Sequence, residues 1–89
     1  MQIQRIQWDC DAWEEYCQWQ QISKSVLKRI NMLVKDIRRS PFDGIGKPEP
    51  LKGNLSGFWS RRIDSENRIV YAVEGNTVVI IACKGHYDN

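Results

Sequence analysis

The 89-residue chain predicts an α+β fold, with two N-terminal helices packed on one face of a mostly antiparallel sheet in the order β-α-α-β-β-β. Three observations carry that expectation. An apolar series at helical spacing runs unbroken through residues 24–39. Three segments rich in β-branched and aromatic residues close the chain, and the turn clusters between them are short enough for hairpins. The length suits one domain, residues 1–89, with one modest core.

Residues 2–8, QIQRIQW, alternate polar and apolar, with Ile3 and Ile6 slightly out of phase, and predict a first strand. Asp9 or Asp11 then caps a helix, and Asp11 with Glu14 has capping-box spacing. Ala12, Trp13, Tyr16, Cys17 and Gln20 fall on one stripe of that helix, which makes Trp13 a core residue. Trp19 lies off the stripe and is expected at an interface. Ile22-Ser23 breaks the helix, and Ser23 caps the next. In this second helix Val26, Leu27, Ile30, Leu33, Val34 and Ile37 form the buried face, while Lys24, Lys28, Arg29, Lys35 and Asp36 occupy the other. Arg38 and Arg39 complement the dipole in the last turn, and Ser40-Pro41 ends the helix.

Residues 41–57 form a long loop rich in proline and glycine, and long loops in small domains are often functional. Residues 58–63, 68–73 and 77–83 then read as strands of a meander. The last of these is apolar on both faces and is expected inside the sheet. Two registers remain open between the first two. Arg62 opposite Arg68 needs a five-residue connection and puts both arginines on one face. A four-residue turn pairs Ile63 with Arg68 and sends Arg62 to the other face.

Composition narrows the function. The apolar share is 42% and the charged share 27%, as in ordinary soluble domains. No apolar run approaches the ~20 residues that span a bilayer, and the N-terminus lacks a signal-peptide pattern, so a cytoplasmic protein is expected. Cys10, Cys17 and Cys83 include no CxxC pair. They read as small core or boundary residues rather than disulfides or metal ligands. Net charge is +2 but unevenly spread. Residues 23–62 carry ten lysines and arginines against three carboxylates, whereas both flanks are acidic. A basic middle segment attracts a polyanion, although a solvated helix face has the same composition.

The segment Gly46 to Ile63, GKPEPLKGNLSGFWSRRI, holds the densest chemistry. Glu49 sits between Pro48 and Pro50, and proline stiffens the backbone that carries the carboxylate. Lys52, Arg61 and Arg62 follow it, and the single histidine, His86, stands beside Tyr87 near the C-terminus. A carboxylate, an imidazole and several cations suffice to cleave an RNA phosphodiester. The first two move protons, the cations hold the charge on phosphorus, and the 2′-hydroxyl is a built-in nucleophile that needs no metal or cofactor. Taken singly these residues have plainer readings. Glu49 is then a loop charge paired with Lys47 or Lys52, His86 a surface residue, and Arg61, Arg62 and Arg68 a solvated sheet face.

Taken jointly, PFDGIGKPEPLKGNLSGFWSRRI, RIVYAVE and the terminal CKGHY, with the earlier WEEYCQWQ and KRINMLVKDIRRSPF, resemble the YoeB (Txe) toxins of the RelE superfamily over nearly the whole chain. The resemblance implies a ribosome-dependent mRNA endoribonuclease that cuts in the A site, the toxin of a type II toxin–antitoxin pair. It also implies a homodimer, a YefM/Axe-like antitoxin whose C-terminal segment wraps the toxin, and operator binding only through the toxin–antitoxin complex. Carried over by position, Glu49 matches the general base, His86 the general acid and Arg68 the arginine on the phosphorane. Lys52 and Arg62 match supporting cations, and Tyr87 matches the aromatic that orients substrate. The chain departs from the pattern at Gly53 and Asn67, where His is frequent, at Lys84-Gly85 in place of Arg-Tyr, and in the Asp88-Asn89 extension. A glycine directly before His86 is expected to loosen the acid. The rival reading is a non-catalytic module, either a degenerate toxin or a gyrase-directed relative of the ParE type. The joint presence of Glu49, Arg68 and His86 argues against it.

Overall fold

The computed structural model describes residues 2–87, so the Asp88-Asn89 extension lies outside the described residues. Strand β1 (Arg5–Trp8) leads into helices α1 (Cys10–Ile22) and α2 (Lys24–Arg39). Strands β2 (Glu49–Pro50), β3 (Trp59–Arg62), β4 (Arg68–Glu74) and β5 (Thr77–Ala82) follow, with one 3₁₀ turn at Gly53–Leu55 after β2. They form one sheet in the order β1-β5-β4-β3-β2. All pairings are antiparallel except β1 with β5, whose parallel register joins the two ends of the chain. The α+β class expected from the sequence is therefore the observed one. Strand β5 lies inside the sheet, as its two apolar faces require.

Two-residue β2 was not anticipated. It lies in the segment taken as loop, and two residues between prolines give no alternation to read. Strand β1 is also shorter than expected, starting at Arg5, because its partner β5 begins at Thr77, which stands opposite Arg5.

Helix α2 matches its pattern. The Ser23 hydroxyl accepts from the Val26 N–H at 3.3 Å, and the Ser23 N–H closes α1 on the Trp19 carbonyl at 3.0 Å, so one serine ends one helix and starts the next. Ile30, Leu33 and Ile37 are buried against Ile69, Tyr71, Val78 and Ile80 of the sheet. Helix α1 differs from expectation in three ways. Asp9 occupies the N-cap position without a side-chain hydrogen bond, and Asp11 lies in the first turn, so neither caps by side chain. Cys10 is exposed rather than a core or boundary residue. The tryptophan assignments also reverse. Trp19 is 6% exposed and donates its indole N–H to the Cys83 carbonyl at 2.9 Å, whereas Trp13 is 50% exposed. The buried stripe runs through Ala12 and Trp19, seven residues apart and thus on one face. One position along from Ala12, Trp13 turns about 100° away and stacks on Tyr16 beside Trp8.

Two further charges are placed otherwise than expected. Arg61, read as part of a cationic sheet face, is fully buried beneath the helices, and Asp36, assigned to the solvent side of α2, is buried against it. The Arg61 guanidinium spends all five N–H donors. They go to the Tyr71 hydroxyl, to Asp36 Oδ2 at 2.6 Å, and to the carbonyls of Ser40, Asp43 and Ile45. Asp36 also accepts from Arg39 at 2.6 Å and from the Ile45 N–H at 2.9 Å. The Tyr71 hydroxyl donates to Pro41 at 2.6 Å. A buried charge is tolerated only when paired and fully hydrogen-bonded, and this one sews the chain after α2 to the sheet. Gly44 passes so close that a Cβ there would stand 2.0 Å from Asp36 Oδ2, with φ at +123°, so only glycine fits.

Candidate active site

The fastened segment 40–46 delivers the chain to Glu49. The Arg62 N–H bonds the Gly46 carbonyl at 2.6 Å, and β2 then pairs with β3, setting Glu49 opposite Ser60 and Pro50 opposite Trp59. The next pairing sets Ser60 opposite Val70 and Arg62 opposite Arg68. Paired residues share a face, so Glu49, Ser60, Arg62, Arg68 and Val70 all point away from the helices.

The five-residue connection is thus the one adopted. It is closed by the Asn67 carbonyl, which accepts the N–H groups of Ile63 at 2.9 Å and Asp64 at 3.3 Å. The alternative register would have driven Ile63 out of the core, where it is 6% exposed.

On this open face Arg68 Nη1 lies 3.8 Å from Glu49 Oε1. The Arg68 side chain is 8% exposed and the Glu49 side chain 43%, so the cation is sunk in the sheet and the carboxylate reaches into solvent. Arg62 is exposed beside Arg68. A small apolar cluster of Leu51, Val70 and Ala82 forms the floor, with Leu55, Phe58, Ile81 and Tyr87 packed around it. Tyr87 therefore ties the C-terminal segment to the same face. His86 is exposed. It follows Gly85, whose carbonyl accepts from the Arg68 N–H at 3.0 Å, which sets the histidine's backbone next to Arg68. Lys52 is exposed at the head of the 3₁₀ turn.

Of the residues singled out from sequence, Glu49, Arg62, Arg68 and Tyr87 thus gather on one face, with His86 on the strap that Tyr87 anchors. Arg61 belongs to the other face. Asn67, expected as a turn residue and as a departure from the family's frequent His, has a further contact. Its amide oxygen accepts the Gly85 N–H at 2.9 Å, and its amide nitrogen lies 3.1 Å from Asp64 Oδ1. An Asp four-residue turn ending on Asn next to a candidate arginine is the one signal that pointed there.

A family model described as the YoeB-like toxin of bacterial type II toxin-antitoxin systems matches residues 8–87. The chain belongs to the YoeB-like toxins. Toxin YoeB of Escherichia coli K12 is 54% identical over 83 residues, which covers 93% of this chain and 99% of that protein. Among solved structures, a YoeB/ParE toxin from Agrobacterium tumefaciens superposes with a TM-score of 0.91 at 42% identity, covering 94% of this chain and all of that one. The YoeB dimer from Staphylococcus aureus gives 0.87 at 45% identity, and the heterotetrameric YoeB–YefM complex from the same organism gives 0.86 at 45%. Each covers 98% of this chain and all of its own. Family membership and fold agree with the resemblance read from the motifs. Among the described residues no helix is long and apolar enough to cross a membrane.

Proposed function

We propose that this YoeB-family toxin is a ribosome-dependent mRNA endoribonuclease that cuts mRNA in the ribosomal A site and so stops translation. The observation that carries the reading is the meeting of Glu49 and Arg68 at 3.8 Å on the open face, with Arg62 in register beside them. Glu49 takes the proton of the ribose 2′-OH as O2′ bonds to phosphorus. The bond from phosphorus to O5′ breaks, and His86 gives O5′ its proton, leaving a 2′,3′-cyclic phosphate and a 5′-hydroxyl. Arg68 neutralises the equatorial oxygens of the phosphorane, Arg62 and Lys52 hold flanking phosphates, and Tyr87 orients the nucleotide. The nucleophile belongs to the substrate, so the scheme needs no metal and no cofactor. A positioned general base supplies about 10²- to 10⁴-fold, and the cations supply much of the rest.

Exposed Lys24, Lys28, Lys35, Arg38 and Arg39 along α2 suit a ribosomal RNA surface. The solved YoeB dimer and YoeB–YefM complex from Staphylococcus aureus support a homodimer and a YefM-like antitoxin as partners. Operator DNA reached only through the antitoxin complex, and a cytoplasmic location, complete the reading.

Primer extension on a message under translation tests this. Wild-type toxin is expected to leave a stop within the A-site codon, which Glu49→Ala and His86→Gln each weaken by about 10²- to 10⁴-fold. No wild-type cleavage removes the enzyme reading, and a stop of wild-type strength in both variants removes the role assignments.

A further inference from the structure

Gly85 is a hinge by composition, yet it is held at both polar ends. Its N–H donates to Asn67 Oδ1 at 2.9 Å, and its carbonyl accepts from the Arg68 N–H at 3.0 Å. The Asn67 amide is itself oriented, since its nitrogen lies 3.1 and 3.2 Å from the two Asp64 carboxylate oxygens. Asp64 Oδ1 further accepts the N–H groups of Glu66 at 2.8 Å and Asn67 at 2.7 Å. With its nitrogen directed at Asp64, the amide must present its oxygen to Gly85. Gly85 has φ of +109°, which a side chain would strain, so this crossing of the strap needs glycine and glycine needs an external fastening. The expectation that Gly85 loosens His86 overlooks this clasp.

We propose that the Asp64–Asn67 turn is a positioning element for His86: Asp64 orients the Asn67 amide, which clasps Gly85 and fixes where the next residue's imidazole meets the scissile phosphate. The turn also carries Arg68 at its end, so one rigid connection sets both the cation and the proton donor. A displacement of about 1 Å at a reacting group costs on the order of 10²-fold, so losing the clasp is costly even though His86 itself is intact.

The activity arm of the test rests on the endoribonuclease reading, and a second arm does not. Asn67→Ala in the exposed turn is expected to lower kcat for A-site cleavage about 10- to 100-fold while ribosome affinity stays the same. The double variant Asn67→Ala/His86→Gln is expected to be no slower than His86→Gln alone, because Asn67 acts through His86. A multiplicative loss, which a general structural role or an effect through Arg68 gives, overturns the proposal. Independently of cleavage, ¹⁵N relaxation on the free protein is expected to show His86 with a backbone order parameter near about 0.85, falling below about 0.6 in Asn67→Ala and partway in Asp64→Ala. An equally mobile His86 in wild type and Asn67→Ala overturns the clasp. Ordered wild-type His86 in a protein that cuts no message upholds the clasp while the ribonuclease reading fails.

Discussion

Arg61 and Arg62 are consecutive residues of one strand and meet opposite fates. The pleat turns Arg61 toward the helices, where it is 0% exposed and every donor is spent on the protein itself. Arg62 is turned to the open face, exposed and in register with Arg68. Consumed donors make a cation a fastener, and donors facing a shared cleft leave it able to meet a phosphate. The two faces are nonetheless coupled, because the segment that Arg61 holds is the approach to Glu49.

The comparison is broken most directly by exchanging each arginine for methionine. Arg61→Met takes one of the two arginine partners from Asp36, leaves the Ser40, Asp43 and Ile45 carbonyls without their donor, and is expected to cost about 3–5 kcal/mol, whereas Arg62→Met is expected to stay within about 0.5 kcal/mol. In a domain of this size each kcal/mol shifts Tm by about 4–8 °C, so thermal melts separate the two clearly. Equal melting shifts would show that burial of the guanidinium is not what distinguishes them.

Next in size is the activity contrast. Arg68→Ala is expected to reduce A-site cleavage by about 10²- to 10³-fold, with a Tm change no larger than the loss of its buried side chain causes. Primer extension under translation measures it, and an activity within about threefold of wild type would take Arg68 out of charge stabilisation.

Asp36 gives the pH test. The hydrogen bond from Arg39 holds its carboxyl down most strongly, burial opposes this, and the Ile45 N–H and Arg61 add to the lowering, leaving it at about 2 against an ordinary 3.8. A lowered folded value stabilises above the unfolded one, so this contribution is complete above pH 3.8 and vanishes as pH falls through about 2. Urea midpoints of wild type and Asp36→Asn are therefore expected to converge across that window. A gap unchanged down to pH 2 would place the effect in packing rather than in charge.

The smallest expected effect concerns the thiols. Burial, helped by Glu15, pushes the Cys83 thiol up to about 12, while Cys10 is exposed. Alkylation near neutral pH is expected to label Cys10 quickly and Cys83 only on unfolding. Early labelling of Cys83 would mean that the chain beyond β5, which bears His86, opens locally without global unfolding.

Elements with many repeats of one pattern were legible from the residues alone. The α2 stripe, its Ser23 cap and its Ser40-Pro41 stop, the apolar β5 and the hairpin order all follow from local periodicity and turn chemistry. The residues of the proposed site could be named by chemical type, because a carboxylate, an imidazole and cations near a stiff loop suit phosphodiester cleavage whatever surrounds them. What escaped has a common cause. Trp13 and Trp19 were exchanged because a short helix with few apolar residues fits two phases, and only packing on Cys83 selects one. Asp36 and Arg61 were placed in solvent because a buried ion pair looks, residue by residue, like two surface charges. Neither the register that sets Arg62 beside Arg68 nor the grip of Asn67 on Gly85 is written in any local segment. Each joins positions far apart in sequence or equally satisfied by another turn. Backbone propensity is a short-range property, so the sequence by itself determined which elements form. Which face each charge meets is decided only when the sheet closes and every buried donor must find its acceptor.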